Sequence, residues 1–292
     1  MGGGRLRIVH VCDGWGRTNG AANIARLIAD EQAAKGHAVA LRRWAKIGEL
    51  KAADEVWIHC GWMPCLWWAA LWAKKAVWVP EACYDPFRLR YHGWKKCLVG
   101  PIERWALRRC ASIKATCAAE AEWVRAYEPR VKAVEILDVK RYFGVGAGGD
   151  GGVGKGEGAG GGKLHVLYLG RRHPLKGVEY LERAVKEFGD GVELRIVSNA
   201  HGEEKEKVWA WCDVLCLPTL SENFGLVVAE ALERGKRVVV TDGAPAWEPE
   251  GEKATVGRGY GGRLVYLRGY RAGDEGTRVE LLKAGLAACR TA

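Results

Sequence analysis

Between Gly144 and Gly162, twelve of nineteen residues are glycine, in the run GVGAGGDGGVGKGEGAGGG. A segment of this composition has almost no apolar side chains to bury and reads as a flexible linker. It divides the 292-residue chain into halves of about 143 and 130 residues, each long enough for a core of its own.

The two halves begin alike, with RLRIVHVC at 5–12 and KLHVLYLG at 163–170. Both are runs of β-branched and aliphatic residues, the pattern of a buried strand, and each leads through glycine into a helical pattern. In the first half the spacing predicts a helix over 20–35, strands in HAVALRRW, EVWIHCGW and AVWVP, and helices over 64–74, near 101–110 and over 119–127. In the second it predicts a strand over 164–169, helix 177–188, strand VELRIVS, helix 203–211, strand DVLCLP, helix 224–234, strand RVVVTD and a late helix from about 277. Short strands alternating with helices make an open α/β sheet with helices on both faces. Expected are an N-terminal Rossmann-like domain over 1–143, a linker over 144–162 and a C-terminal Rossmann-like domain over 163–292. Ligands of such sheets bind at the carboxyl ends of the strands, so a cleft between the two domains is the expected site.

At 48% hydrophobic and 27% charged, the composition is that of a soluble globular protein. The longest apolar stretch, WMPCLWWAALWA at 62–73, is too short to span a bilayer. MGGGRLRIVHVC lacks the apolar core and cleavage site of a secretory signal, and its glycines read as a flexible tip rather than a myristoylation site. Ten cysteines occur with no C-x-x-C pair, mostly in apolar runs, which suits free thiols in a reducing cytoplasm and not a metal site. Residues 1–143 hold 24 Lys and Arg against 14 Asp and Glu, whereas residues 144–292 hold 21 of each. The whole surplus of ten positive charges therefore lies in the first half, with 11 of the 14 tryptophans. A basic, Trp-rich surface suits anionic lipid headgroups, a phosphorylated acceptor or nucleic acid, and equally a solubilising face over a Trp-rich core.

Chemistry is concentrated in SENFGLVVAE at 221–230. Ser221 or Asn223 can cap a helix starting near Phe224, leaving Glu222 in the loop above a strand and Glu230 within the helix. The first N–H groups, at Phe224, Gly225 and Leu226, then point outward and can bind an anion. Upstream, LGRRHPLKGVEYL at 169–181 adds the cations Arg171 and Lys176 ahead of another helix.

PTLSENFGLVVAEALERGKRVVVTDGAPAWE resembles the E-x7-E segment of retaining, two-domain (GT-B) glycosyltransferases of family 4, and GRRHPLKG resembles their G-R-x-x-x-x-K-G segment. The resemblance implies a GT-B fold, two Rossmann-like domains facing across a cleft, and transfer of a sugar from a UDP- or GDP-sugar. Glu222 would then sit beside the donor sugar, Asn223, Phe224, Gly225 and Leu226 along sugar and phosphate, and Glu230 on the ribose hydroxyls. Arg171 and Lys176 would neutralise the leaving diphosphate, a task for which no Asp-x-Asp is found to recruit a metal, so no cofactor is expected. In the first half, DGWGRTNGAANIARLIADEQAAKGHAV resembles the family's Gly-rich loop, with Asn19 and Gly20 at its phosphate-facing turn and Ala22 in place of a glutamate. Residues 54–143 follow the family's order, with Glu81 where many members carry a histidine. Glu81 would face the acceptor hydroxyl, with His59 and His92 as alternatives. The implied acceptor is a glycan or lipid-linked species of envelope polysaccharide or lipopolysaccharide assembly, reached from the cytoplasm at the inner membrane face. Two rivals stand beside this reading: a member that binds sugar nucleotide without transfer, and a nucleic-acid-binding protein, against which no RNP-type or zinc-finger string appears.

Overall fold

The computed structural model describes residues 4–15, 20–144, 162–198, 200–251 and 253–290. Asn19, the first three residues and most of the glycine-rich run, 145–161, lie outside the described residues. The chain divides into two compact units, Met1–Val139 and Lys140–Ala292. The division falls ahead of the glycine-rich run, not within it.

The first unit contains β1 (Arg7–Cys12), α1 (Gly20–Ala34), β2 (Ala38–Arg42), α2 (Ile47–Ala52), β3 (Glu55–His59), α3 (Pro64–Trp72), β4 (Ala76–Val79), α4 (Pro86–Arg90), α5 (Gly93–Arg109), β5 (Ser112–Ala115), α6 (Ala118–Tyr127) and β6 (Val134–Ile136). Its strands form one sheet in the order β2-β1-β3-β4-β5-β6, every pair parallel. Parallel neighbours need crossovers, which the helices supply, and helices cover both faces of such a sheet. That is why β4 is buried along its whole length and β3 over four of its five residues.

The second unit contains β7 (Leu164–Leu169), α7 (Val178–Phe188), β8 (Val192–Val197), α8 (Gly202–Trp211), β9 (Val214–Leu217), α9 (Leu226–Glu233), β10 (Arg237–Thr241), β11 (Val256–Gly259), β12 (Leu264–Leu267) and α10 (Glu275–Arg290). The sheet runs β11-β12-β10-β9-β7-β8, parallel except for the edge strand β11 against β12. The three-residue spacing of Val178, Leu181 and Ala184 turns one face of α7 inward.

In both sheets the first strand lies between the second and third, so the strand order reverses beside it. That reversal leaves a crevice above the carboxyl ends of the flanking strands. In the first unit the loops after β1 and β3 border it; in the second, the loops after β7 and β9.

Candidate functional site

The loop after β7 carries Arg171 and Lys176, and the loop after β9 carries Glu222. The switch point of the second sheet thus brings together two segments 46 residues apart. Lys176 ends a 3-10 turn, Pro174–Lys176, and its ammonium is ion-paired with the Glu222 carboxylate; both side chains are less than one-fifth exposed. Arg171 is exposed, and its carbonyl accepts from the Tyr168 hydroxyl at 2.8 Å. Its guanidinium makes no ion pair among the described residues.

Backbone hydrogen bonds lock these loops. The Leu175 carbonyl accepts from the Leu220 N–H at 2.9 Å and from the Thr219 hydroxyl at 2.9 Å. The Glu222 N–H donates to the Gly243 carbonyl at 2.8 Å, which brings in the Thr241-Asp242-Gly243 turn after β10. Asp242 accepts from the N–H groups of Gly269 and Arg271, each at 2.9 Å. Two glycines are required by the closeness of this packing. A Cβ on Gly177, where φ is +60°, would lie 2.2 Å from the Pro218 carbonyl oxygen, and one on Gly243 would lie 2.0 Å from that of Thr219.

The helix after Glu222 starts later than expected. α9 begins at Leu226, with Gly225 before it in the left-handed conformation (φ +72°) and no side-chain cap from Ser221 or Asn223. Phe224 is instead buried, 4.9 Å from the Trp247 ring and 5.9 Å from Phe143, and its carbonyl accepts from the Trp247 indole. The aromatic anchor takes Phe224 out of the helix, and only Gly adopts the sharp turn that follows without strain. The N–H groups of Phe224, Gly225 and Leu226 have no acceptor among the described residues. Asn223 donates its N–H to Glu222 Oε1 at 3.1 Å. Glu230 lies in α9 with its Oε2 2.7 Å from Lys205 Nζ of α8, an ion pair by distance though outside hydrogen-bond geometry. Lys205 was not predicted; only the mixed Glu and Lys composition of α8 could have suggested it.

In the first unit Gly20 opens α1 with free space at its Cα. Glu81 follows β4 in a left-handed turn (φ +55°) and is buried. His59 Nδ1 lies 3.3 Å from its Oε1, His10 Nδ1 lies 2.9 Å from His59 Nε2, and Gln32 Oε1 lies 2.7 Å from His10 Nε2. An amide oxygen accepts, so His10 donates to it from Nε2, accepts from His59 at Nδ1, and leaves His59 Nδ1 to accept from Glu81. The ladder therefore calls for a protonated Glu81 carboxyl. Burial agrees, holding Glu81 well above the usual carboxylate range, with Cys83 and Glu120 pushing the same way. A protonated carboxyl can orient a hydroxyl but cannot take up its proton. His92 is exposed at the start of α5, its ring edge-on to Tyr91, and does not join this cluster.

Burial pushes His10 down to about 4 and His59 well below its ordinary range. Between about pH 6.5 and about 4 the unfolded chain gains a proton at His10 that the folded protein refuses. Stability should therefore fall on acidification, by about 3 kcal/mol from His10 alone. Urea midpoints of His10→Gln compared with wild type at pH 7.5 and 4.5 should show a shallower acid loss in the variant. An unchanged slope refutes this linkage.

All ten cysteines are free, and the described residues hold no cluster of three His, Cys, Asp or Glu able to hold a metal ion. No described helix is long and apolar enough to cross a membrane.

No family model matches the chain, and no curated protein matches it. Solved structures do. A sucrose-phosphate synthase from Thermosynechococcus elongatus superposes with a TM-score of 0.66 at 13% identity, covering 98% of this chain and 92% of that one. WaaG, a glycosyltransferase involved in lipopolysaccharide biosynthesis, gives 0.58 at 14% identity over 97% and 92%. HepE from Anabaena, solved with UDP and glucose, gives 0.57 at 13% identity over 98% and 95%. The fold is that of the GT-B glycosyltransferases. This GT-B likeness spans nearly the full length of both chains in each comparison, covering both α/β units.

Proposed function

We propose that the chain is a retaining glycosyltransferase of the family-4 type, moving a sugar from a UDP- or GDP-sugar to a glycan or lipid-linked acceptor. The observation that carries the reading is the Lys176–Glu222 ion pair at the switch point of the second sheet, beside Arg171 and the open N–H groups before α9. Cations, outward N–H groups and a carboxylate at one crevice suit a diphosphate joined to a sugar. Neighbours of this fold include HepE, solved with UDP-glucose.

In this reading the diphosphate leaves on the face where the acceptor enters. Lys176, Arg171 and the N–H groups of Phe224, Gly225 and Leu226 take up the charge that builds on the leaving oxygen, and that oxygen helps remove the acceptor proton. Glu222 positions the sugar and supports an oxocarbenium-like state. Asn223 continues the same wall, Glu230 binds the ribose diol, and Gly20, with Asn19, lets backbone approach the phosphates. The cations make a metal unnecessary. The acceptor class is envelope polysaccharide or lipopolysaccharide, met at the inner face of the cell membrane through the basic first unit.

Glu222 neutralises Lys176 in the structure, so in this reading the lysine exchanges a carboxylate for a phosphate on binding. Glu222→Gln should therefore bind UDP or GDP at least as tightly as wild type while losing transfer. Calorimetry with the nucleotides and transfer assays with a panel of UDP- and GDP-sugars test this. Equal transfer in variant and wild type overturns the assignment. The second reading, a binding protein without transfer, is favoured by the buried, protonated Glu81, and donor binding with neither transfer nor donor hydrolysis would establish it.

A further inference from the structure

We propose that the outward face of α5 docks on an anionic lipid bilayer surface. The proposal rests on the membrane contact within the reading above and names the surface that makes it. Trp94, Leu98 and Ile102 recur at four-residue intervals and are 67%, 72% and 45% exposed. At 100° per residue they span a stripe about 80° wide, with the half-buried Trp105 inside it. The helix packs inward through Gly100, Glu103, Ala106 and Leu107, on the opposite side. The core therefore does not use this stripe, and a run of large apolar groups stands in water.

The charges around it have one sign. Residues 86–109 hold seven Lys and Arg against a single acid, Glu103. Glu103 is fully buried, accepting from the Tyr84 hydroxyl at 2.7 Å and the Trp62 N–H at 3.1 Å. Lys95 and Arg104 lie along the flanks of the stripe and Arg109 at its end; none has a carboxylate partner among the described residues. Arg104 lies 4.6 Å from the Tyr127 ring, and Arg109 donates to the carbonyls of Ala70 and Leu71. The Lys95 ammonium sits 5.4 Å from the Trp94 ring and the Arg109 guanidinium 5.3 Å from the Trp105 ring, so each ring is paired with a cation at the water's edge. An apolar strip that enters the acyl boundary, tryptophans along it and cations without carboxylate partners at headgroup level form the pattern of an interfacial helix. A second copy of this chain is a poor occupant, because a two-fold contact would set these cations against their own images. Nucleic acid would leave the apolar stripe uncovered.

Flotation of the full chain with phosphatidylcholine vesicles, with and without phosphatidylglycerol, is the test. Binding is expected only with phosphatidylglycerol and should fall with added salt. The pair Trp94→Ser with Leu98→Ser should weaken it on the order of tenfold or more, and the pair Lys95→Glu with Arg104→Glu should abolish the preference for anionic lipid. These positions are exposed, so thermal midpoints should be unchanged, which separates lost binding from lost fold. Absent vesicle binding, binding indifferent to both pairs, or a dimer in sedimentation that the apolar pair dissolves would each overturn the proposal. No donor is present, so this result and the transfer assay stand or fall separately.

Discussion

Lys176→Ala is expected to lower transfer by two to three orders of magnitude, the loss typical when one preorganised donor to a developing oxyanion is removed. The lysine is not a loose surface cation. Its backbone closes a 3-10 turn, its neighbour Gly177 is pressed against Pro218, and its ammonium already faces Glu222. Removing it costs twice, because the carboxylate it held then faces the incoming phosphates alone. Combining it with Glu222→Gln should therefore weaken nucleotide binding less than the two single effects predict, a coupling expected for groups in contact. Steady-state kinetics on the preferred sugar nucleotide, with calorimetry of the nucleoside diphosphate, read both effects. A Lys176→Ala enzyme within threefold of wild type would remove the lysine from the chemistry.

The second large effect is on stability. Gly243→Ala places a methyl group 2.0 Å from the Thr219 carbonyl oxygen and 2.6 Å from its carbon. Both obstacles are backbone, so no rotamer change relieves them. A cost of at least about 3 kcal/mol is expected, lowering the thermal midpoint of the second unit by about 10 °C. The same shift would break the Glu222–Gly243 hydrogen bond, so any protein that still folds should also bind donor poorly. Gly48→Ala in α2, where nothing stands within 4 Å, is the control and should be neutral or slightly stabilising. A midpoint for Gly243→Ala within 2 °C of wild type, a span worth under about 1 kcal/mol, would show that the loops around Glu222 are not held as described.

Strands such as β1 and β10 were legible because their buried residues are β-branched and aliphatic: VVVT in β10 and IVHVC in β1 are apolar on both faces, as sheets covered on both sides require, whereas β6 and β12 were missed. The edge strand β11, with the sequence VGRG, carries no such pattern and forms by pairing antiparallel with β12. The short α4 and the first two turns of α5 were missed as well. Residues 93–100 include two glycines and turn a Trp and a Leu toward solvent, so the apolar periodicity points the wrong way. In the second unit two sequence motifs on adjacent strand ends put Lys176 and Glu222 at one crevice, but not in the ion pair they make with each other. The start of α9 was not legible, because a capping residue can be read from sequence but the burial of Phe224 against Trp247 and Phe143 cannot. The ladder in the first unit was equally hidden. Gln32, His10, His59 and Glu81 lie on four separate segments, and nothing in one segment announces the other three.

Residues Lys140–Phe143 already belong to the second unit: Phe143 stacks on Phe224, and the Lys140 ammonium lies 5.2 Å from the Trp247 ring and 5.3 Å from that of Tyr260. In sequence, the glycine-rich run therefore follows the boundary between the units and lies between two stretches of the second. The covalent joint between the units is the Val139–Lys140 peptide. Shortening the glycines should therefore leave that joint untouched.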